Sequence, residues 1–537
     1  MPATQDVSAL VADAAADRPD MLAVVEAGGR SVTWAGLEDD VARIATGLGA
    51  AGLVAGQRVL LALGNRIEFV ATYLGVLRAQ AVAVPVNPLA TAGELARMAA
   101  DSGARLVVAD DETVATVREA LVLLRAALAG EPLPGGELEA DLLERAYEPV
   151  VYVVGAAPEG DEQPYDALRA ATGRPVPPLP DPEKLACLLY TSGTSGRPRA
   201  AMLTHRALLA NIEQAAEVEP PMIHGDDVVL GVLPLFHVYG LNAVLGGVLR
   251  RRAKLVLVPR FEPEATLDLI DDEAVSVLPV APPVFAYWLP EDHLRERLGP
   301  VRLMLSGSAP LSAELIEQFS EATGVAVHQG YGLTEASPIV TSTLCSTEPR
   351  VGSVGAALPG IEIRLLDELG HPPEGDDPGE IWIRGANMFS GYWPDGDGGP
   401  DQDGWWGTGD VGFLDEWGNL FLVDRLKELV IVSGFNVYPI EVEDVIRELP
   451  LVAETAVIGV ADDATGEAVV AYVRPTDGAA PADVADAVRQ HCELRLARFK
   501  RPSRIEVVEE LPLTVTGKVQ KGRLRGMERR RALGLLE

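Results

Sequence analysis

Short apolar runs alternate with longer segments of helical periodicity through roughly the first 130 residues of the chain. Residues 58–63 (RVLLAL) and 81–86 (AVAVPV) consist mainly of Val, Leu and Ala, while residues 66–80 and 91–102 place apolar positions at helical spacing. Continuous apolar runs are typical of parallel strands that are covered by helices on both faces. The sequence therefore predicts an α/β fold with layered, mostly parallel sheets.

The same alternation returns further along the chain, after an interruption. Proline and acidic residues are frequent at 131–182, around the apolar run 150–154, and we interpret this stretch as a variable excursion. Further strand candidates lie at 228–233, 254–258, 275–280 and 302–305. The second series predicts another layer of the same α/β domain.

From about residue 361 the pattern changes to short strands separated by Gly and Asp turns. This change predicts a small β module that closes a large domain at 1–424. After Asp424 a compact α+β pattern follows, with helices near 441–448 and 482–496. We therefore expect a smaller C-terminal domain at 425–537, which is a natural domain size.

Composition excludes several classes of protein. The chain has 79 acidic and 45 basic residues, a formal charge of −34, which argues against a general nucleic-acid binder. Its three cysteines are far apart and form no CxxC, so neither a zinc site nor a disulfide framework is indicated. No secretory signal and no apolar run long enough for a membrane span is visible, and we expect a cytoplasmic protein.

A Gly/Ser/Thr-rich loop at 190–200, with the sequence YTSGTSGRPRA, is the strongest chemical signal. Small residues let a backbone close around phosphates, hydroxyls add contacts and arginines add positive charge. An apolar run precedes the loop and a helix is predicted at 205–218, so we expect a strand, a phosphate-binding loop and then a helix. A surface turn is the alternative, and no Walker motif occurs.

Six further segments occur in a fixed order after this loop. They are LPLFHVYG (233–240), SGSAP (306–310), QGYGLTE (329–335), TGD (408–410), DRLKE (424–428) and TVTGK (514–518). Together with the loop they resemble the adenylate-forming superfamily, closest to the fatty acyl-CoA and coumarate-CoA ligases. The resemblance implies that a carboxylic acid reacts with ATP and Mg²⁺ to give an acyl-adenylate, from which CoA displaces AMP.

The resemblance implies a phosphate and metal site. The expected phosphate contacts come from the loop, at Thr191, Ser192, Gly193, Thr194, Ser195, Gly196 and Arg199. Thr334 and Glu335 are expected to act in catalysis. A carboxylate facing phosphates needs a cation between them, so Glu335, with Thr191, is the predicted Mg²⁺ ligand.

The resemblance also implies a nucleoside site. Asp410 and Arg425 are expected to hold the ribose. The residues expected to frame the adenine are Ser308, Ala309, Gln329, Gly330, Tyr331 and Gly332.

Lys518 is the sharpest catalytic candidate, because a long cation on a turn can contact both the carboxylate and the α-phosphate. His237 is expected beside the acid and the thiol tunnel, although a lone histidine in an apolar setting is more often a core residue. The resemblance implies that the C-terminal domain is mobile, with Lys427 at the position of the family's hinge, and that Gly434 and Phe435 help form the CoA tunnel.

The expected acid pocket has no obvious charge, which predicts a hydrophobic monocarboxylic acid. Its residues are His237, Tyr239, Gly246, Gly247, Gly307, Pro338 and Ile339. The two adjacent glycines are expected to leave depth for a medium or long fatty acid, with a cinnamate-like aryl acid as the alternative. Loading of a separate acyl carrier protein, a luciferase-like oxidation and a non-catalytic relative are further alternatives, and the protein is expected to be a monomer or homodimer.

The chain departs from the family at three loop positions, where Ser195, Arg199 and Ala200 stand for Thr, Lys and Gly. Arginine keeps the charge but is a bulkier planar group. We expect ATP binding to be retained. Ile431 and Asn436 also differ from the plant coumarate ligases, which argues against a direct transfer of aryl specificity.

Overall fold

A computed structural model describes the chain except for residues 1–4, 132–137, 171–175, 179–180, 192–198, 310, 312, 368, 374–376, 426–427, 433–434, 463–465, 477, 497, 515–516 and 533–537. At residues 424, 425, 431, 435, 436, 466, 529 and 532 the backbone alone is described.

The strands are β1 Leu22–Glu26, β2 Ser31–Thr33, β3 Arg58–Ala62, β4 Val82–Pro85, β5 Leu106–Asp110, β6 Val150–Val154, β7 Gln163–Pro164, β8 Leu185–Thr191, β9 Arg199–Thr204, β10 Val228–Gly231, β11 Lys254–Leu257, β12 Val277–Val280, β13 Leu303–Ser306, β14 Val327–Gly332, β15 Ile339–Ser342, β16 Ala356–Ala357, β17 Glu362–Leu366, β18 Gly379–Arg384, β19 Trp406–Leu414, β20 Leu420–Arg425, β21 Val430–Val432, β22 Phe435–Val437, β23 Val452–Asp462, β24 Gly466–Pro475 and β25 Arg504–Val507.

The α-helices are α1 Ala9–Asp17, α2 Trp34–Ala50, α3 Ile67–Arg78, α4 Ala92–Ser102, α5 Val114–Leu128, α6 Ala140–Leu143, α7 Asp166–Arg169, α8 His205–Ala216, α9 Gly247–Arg251, α10 Pro263–Asp272, α11 Pro282–Trp288, α12 Leu294–Arg297, α13 Ala313–Thr323, α14 Pro439–Arg447, α15 Pro481–Arg495 and α16 Lys521–Ala532. A π-helix spans Tyr239–Gly246, and 3₁₀ turns span Thr334–Ala336, Thr343–Cys345 and Arg498–Lys500.

Two large sheets form the first part of the molecule. One has seven strands in the order β7-β6-β5-β3-β4-β8-β9, parallel throughout except where β8 meets β9. The other has nine strands in the order β16-β15-β14-β13-β12-β10-β11-β1-β2, with its central strands parallel. The predicted α/β class is confirmed.

A shared helical layer lies between the two sheets. In β3, Val59 and Leu61 belong to the central core with α2, α3 and α8, whereas Leu60 faces the outer core with α4 and α5. A third core packs α10, α11 and α13 on the far face of the nine-stranded sheet. Burial of both strand faces explains why these strands read as continuous apolar runs.

The later part of the chain is antiparallel. Strands β17 to β20 form a four-stranded sheet, which is the predicted β module. The C-terminal domain has a five-stranded sheet built around β24, with α14 and α15 sharing its core. Within the described residues, no helix combines the length and apolar character that a bilayer crossing requires.

Two sequence interpretations were wrong. The Gly/Ser/Thr loop is not followed directly by a helix, because β9 intervenes and makes a hairpin with β8. Helix α8 begins only after Thr204, whose hydroxyl oxygen accepts a hydrogen bond from the amide of Ala207 at 3.2 Å. The run 150–154 is not part of an excursion, since it forms β6 and pairs in parallel with β5.

Candidate active site

The candidate site lies at the carboxyl edge of the nine-stranded sheet. Strands β10, β12, β13 and β14 are parallel neighbours, so the segments that follow them meet at one edge. His237 follows β10, Gly307 follows β13, and Thr334 with Glu335 forms the turn after β14. The structure thus gathers residues that are distant in sequence.

Glu335 is buried and held by a tyrosine that the sequence analysis missed. The hydroxyl of Tyr392 donates to Glu335 Oε1 at 2.7 Å. Burial and then the Glu335 carboxylate raise the pKa of Tyr392, so this hydroxyl is protonated and able to donate. The Gly-Tyr-Trp run at 391–393 was the available signal, but nothing in sequence connects it to Glu335.

Arg199 contacts this same tyrosine. Its guanidinium carbon lies 3.7 Å from the centroid of the Tyr392 ring, a cation–π contact that suits a planar cation. Thr191 faces Arg199 across the hairpin, and its hydroxyl donates to the Arg199 carbonyl oxygen at 3.3 Å. The phosphate contacts expected of Thr191 and Arg199 remain predictions.

The predicted ribose and adenine residues converge from two sheets. The hydroxyl of Tyr331 on β14 donates to Asp410 Oδ2 on β19 at 2.6 Å. The backbone of Asp410 pairs with that of Arg425 across β19 and β20. The residues from the two sheets that are predicted to hold the nucleoside are therefore adjacent.

Glycine is required at two positions of β14, the strand that leads to Glu335. A Cβ at Gly330 would lie 2.7 Å from the Thr341 carbonyl oxygen, and one at Gly332 would lie 2.4 Å from the Pro338 carbonyl oxygen. Both distances are far below ordinary contact, so close approach of the backbones fixes these residues. At these two positions the strand that precedes Glu335 therefore packs against neighbouring backbone.

Gln329 and Ser308 continue the same region. The side-chain oxygen of Gln329 accepts a hydrogen bond from the amide of Leu311 at 3.3 Å. Ser308, followed by Ala309, has a φ of 73°, a left-handed conformation that is uncommon for residues other than glycine. Its buried hydroxyl has no hydrogen-bond partner among the described residues. Such local strain is frequent at functional sites.

The expected acid pocket is formed around Tyr239. A Cβ at Gly307 would lie 2.7 Å from Tyr239 Cε1, so the tyrosine ring lies directly against this glycine. Ile339 begins β15 immediately after the turn that contains Glu335. Pro338 O accepts a hydrogen bond from the amide of Leu333 at 3.0 Å. Pro338 and Ile339, which are predicted to line the acid pocket, therefore follow closely on Glu335, the predicted magnesium ligand.

Gly246 and Gly247 do not provide depth in this pocket. A Cβ at Gly246 would lie 2.7 Å from Ile212 Cδ1, and one at Gly247 would lie 2.9 Å from Ile223 Cδ1. Both glycines therefore permit close packing with neighbouring segments of the core. The space that these two glycines were expected to leave for an acyl chain is occupied by Ile212 and Ile223.

The Lys518 turn reaches from the C-terminal domain to the large domain. The amide of Lys518 donates to Thr514 Oγ1 at 3.0 Å, and Gly517 adopts a φ of 79°. A Cβ at Gly517 would lie 2.5 Å from Pro283 Cγ, which shows how closely the turn approaches the segment after β12. The structure places the predicted catalytic lysine at the carboxyl edge of the sheet.

His237 is neutral at physiological pH. Burial, followed by the positive charge of Lys518, lowers the pKa of His237 to about 4. Its Nδ1 accepts a hydrogen bond from the amide of Tyr239 at 3.3 Å, which leaves Nε2 as the protonated nitrogen. The neutral ring can line a pocket for an apolar acid while Lys518 supplies the charge.

This pKa predicts a pH dependence of stability. The unfolded chain binds a proton at His237 below about pH 6.5 while the folded chain does not, so stability falls between pH 6.5 and 4. From pH 7 to 5, urea unfolding of the wild type should lose about 1 to 2 kcal/mol more than that of His237→Gln. Equal losses in the two proteins would contradict the lowered pKa.

Several predicted residues lie outside the described part of the chain. They are Ser192, Gly193, Thr194, Ser195, Gly196, Lys427 and Gly434, together with the side chains of Arg425 and Phe435.

The described residues fit a magnesium ion bound largely by substrate. They contain no group of three or more His, Cys, Asp or Glu side chains suited to a metal. Mg²⁺ commonly binds proteins through one or two carboxylates plus phosphates and water, so the buried Glu335 carboxylate is sufficient. Glu335 and Thr191 would hold the ion.

Two family models match the chain. Residues 11–393 match the AMP-binding enzyme model, and residues 441–518 match the AMP-binding enzyme C-terminal domain. Among curated relatives, 4-coumarate–CoA ligase 5 of rice (Oryza sativa subsp. japonica) is 33% identical over 523 residues, covering 95% of this chain and 92% of the relative. A long-chain-fatty-acid–CoA ligase of Bacillus subtilis is 32% identical over 536 residues, covering 96% and 94%.

A solved structure agrees with these matches. ATP-bound MatB from Rhodopseudomonas palustris has a TM-score of 0.84 at 32% identity, covering 98% of this chain and 99% of MatB. The apo form of MatB gives a TM-score of 0.73 over the same share of each chain. The chain belongs to the AMP-binding enzyme family and is an AMP-forming acid–thiol ligase.

Proposed function

We propose that the protein is an ATP-dependent ligase that joins a hydrophobic monocarboxylic acid to CoA through an acyl-adenylate. A medium or long fatty acid is the first candidate substrate and a cinnamate-like aryl acid is the second. Two kinds of relative support this range, since the curated matches include both fatty-acid and coumarate ligases.

One observation carries the proposal: the side chains assigned to the wall of the acid pocket are uncharged, and Lys518 is the cation assigned to the carboxylate. His237 is uncharged at pH 7 because its pKa lies near 4, and Tyr239 packs its ring against Gly307. Lys518 lies near enough for its positive charge to add to the effect of burial in lowering the pKa of His237, and we assign it as the partner of the substrate carboxylate. Lys518 can pair with one carboxylate, and the other described residues that we assign to this pocket carry no positive charge to pair with a second one, whose burial would be costly.

The aryl alternative gains support from the packing of the two glycines. Because Gly246 and Gly247 face Ile212 and Ile223, they add no depth for a long chain. A flat, compact acid could instead lie against the Tyr239 ring. The substrate test must therefore compare both classes directly.

Adenylation is the first half-reaction in this proposal. A carboxylate oxygen attacks the α-phosphorus of ATP, the bond to the β,γ-diphosphate breaks, and pyrophosphate leaves. Lys518 contacts the carboxylate and the α-phosphate while negative charge develops, and Asp410 holds the ribose. Glu335 would hold Mg²⁺, which when bound would neutralise negative charge on the phosphates.

Thioester formation is the second half-reaction. The CoA thiol, as thiolate, attacks the acyl carbon and AMP leaves with the carboxylate oxygen that it acquired. We propose that the C-terminal domain rotates about Lys427 between the halves. The TM-score is higher to ATP-bound MatB than to its apo form. This difference supports the view that the two domains of the present structure are arranged as they are for adenylation.

A matched acid panel tests the proposed specificity. With ATP, Mg²⁺ and CoA, we expect thioesters from octanoate, palmitate or 4-coumarate, and at least tenfold lower kcat/KM for acetate and for the dicarboxylate succinate. Succinate would have to bury its second carboxylate without an opposite charge to pair with it, which accounts for the expected discrimination. Detection of the thioester by mass identifies the product.

Two controls separate the alternatives. Omission of CoA should leave ATP–pyrophosphate exchange intact, and replacement of CoA by a phosphopantetheinylated carrier protein tests the other acceptor. Efficient thioester formation with the carrier and none with CoA would replace the CoA proposal. Activity confined to acetate or to dicarboxylates would reject the hydrophobic substrate.

A further inference from the structure

A set of buried amide side chains holds the backbone of residues 336–339, immediately after Glu335. Asn387 Nδ2 donates to the Ala336 carbonyl oxygen at 2.7 Å. Asn242 Nδ2 donates to the Ser337 carbonyl oxygen at 2.6 Å. A third amide, that of Asn211, contacts Ile339. Three of the four residues of the segment are therefore held by buried amides.

The contact of Asn211 with Ile339 is double. Asn211 Nδ2 donates to the Ile339 carbonyl oxygen at 2.8 Å, and Asn211 Oδ1 accepts from the Ile339 amide at 3.0 Å. A side-chain amide that both donates to and accepts from one residue fixes its position and its orientation. Ile339 is held at the first residue of β15.

The three asparagines come from different parts of the fold. Asn211 lies on α8, Asn242 lies in the π-helix, and Asn387 lies between β18 and β19. They are 1%, 2% and 0% exposed, respectively, so each amide is removed from competing water. Buried amides of this kind are costly unless they are hydrogen-bonded, and they make a rigid network when they are.

Further contacts connect these amides. Gln214, one turn after Asn211 on α8, accepts from Asn211 Nδ2 at 3.2 Å and donates to Asn387 Oδ1 at 3.4 Å. Asn242 Nδ2 also donates to the Leu208 carbonyl oxygen of α8 at 3.0 Å. Helix α8 therefore anchors the whole set.

The held segment contains a strained residue. Ser337 has a φ of 67°, a left-handed conformation that costs a residue other than glycine roughly 1 to 2 kcal/mol. Such a conformation persists when surrounding contacts over-determine it. The hydrogen bond from Asn242 to the Ser337 carbonyl oxygen is one such contact.

We infer that Asn211, Asn242 and Asn387 are positioning residues of the ligase. They fix the backbone between Glu335 and Ile339. They thereby set the distance between Glu335, which faces the phosphates in the proposed function, and Ile339, which lines the proposed acid pocket. Asn387 acts next to Glu335, Asn211 acts on Ile339, and Asn242 couples Ser337 to the π-helix that carries Tyr239. This inference rests on the proposed function for the roles of Glu335 and Ile339.

The division of contacts predicts a division of kinetic effects. Asn211→Ala should raise the KM for the acid about tenfold with a smaller change in the KM for ATP, because it releases Ile339 from its position in the proposed acid pocket. Asn387→Ala should weaken ATP binding about tenfold with a smaller change in the KM for the acid. ATP affinity is measured by calorimetry on the intact protein without acid, independently of turnover.

Asn419→Ala is the matched control. Asn419 is also buried and its Nδ2 donates to the Glu348 carbonyl oxygen at 2.9 Å, but it lies at the turn between β19 and β20. We expect it to lower Tm as much as the site variants do, while acid KM and ATP affinity stay within twofold. The comparison separates positioning from general destabilisation.

Each outcome decides the inference. A loss mainly of acid binding in Asn211→Ala and mainly of ATP binding in Asn387→Ala, with neither loss in Asn419→Ala, supports it. Equal kinetic changes in all three variants, or losses of Tm alone, overturn it while the wild-type activity still upholds the proposed function. If the wild type turns over no acid, the proposed function fails, and unchanged ATP affinity in Asn387→Ala then also overturns the inference.

Discussion

Replacement of Lys518 by alanine is expected to slow acyl-adenylate formation by about 10²- to 10³-fold, the usual effect of removing a group that stabilises transition-state charge. Thioester formation from supplied acyl-adenylate and CoA should change less than tenfold. The asymmetry follows from the proposed mechanism, in which Lys518 acts at the carboxylate and the α-phosphate and a domain rotation removes it before the thiol attacks. ATP–pyrophosphate exchange measures the first half, and mass detection of the thioester measures the second.

A second lysine of the same domain serves as the control for this experiment. The ammonium of Lys500 contacts Glu441 Oε1 at 2.6 Å, so Lys500→Ala removes the same charge from another place. We expect both half-reactions of Lys500→Ala to stay within threefold of wild type. Equal losses in both half-reactions of Lys518→Ala would reject its assignment to adenylation.

Replacement of Asp410 by alanine is expected to raise the KM for ATP about a hundredfold with little change in the KM for the acid. Hydrogen bonds to a charged group contribute about 1.5 to 3 kcal/mol each, and the Asp410 carboxylate is the proposed partner of the ribose hydroxyls. Tyr331→Phe should give a smaller increase, because it removes the hydroxyl that donates to Asp410 at 2.6 Å. The measurement is steady-state kinetics with each substrate varied in turn.

An exposed acid on the same hairpin controls for charge. Glu416 lies in the turn between β19 and β20 and is exposed. Glu416→Ala should leave both KM values within twofold. A large rise in the KM for the acid with an unchanged KM for ATP in Asp410→Ala would contradict the ribose role.

Much of the fold could be predicted from local pattern. The apolar run at 58–63 contains β3, and its neighbours Leu60 and Leu61 pack into different cores, as expected for a strand covered on both faces. The helix predicted at 482–496 is α15, Pro481–Arg495. Patterns of this kind succeed because burial on one or two faces imposes a period on the residues themselves.

Local pattern failed where pairing with distant strands decided the outcome. Residues 199–204 lacked a clear strand signal, but Leu203 and Thr204 pair with β8, and the Ala200 carbonyl accepts from the amide of Trp393. The apolar run 150–154 has a strand-like sequence, but its place beside β5 depends on the fold of the whole sheet. Composition around a segment does not reveal its partners.

The candidate site divides in the same way. Motif order predicted that Tyr331 and Asp410 belong to one nucleoside site, and the structure shows their side chains in direct contact, while their roles remain predictions. The contacts of Arg199 with Tyr392 and of Gly246 with Ile212 could not be foreseen, because each depends on residues far away in sequence. Motifs identify chemistry, whereas packing decides which neighbour each side chain meets.

The central claim is that the acid is activated through its adenylate. Its most direct test uses an accepted acid with ¹⁸O in both carboxylate oxygens, together with ATP, Mg²⁺ and CoA, and mass analysis of the nucleotide product. Attack of the carboxylate on the α-phosphorus predicts one ¹⁸O in AMP for each thioester formed, with unlabelled pyrophosphate. ADP as the product, or AMP without the label, would contradict the account.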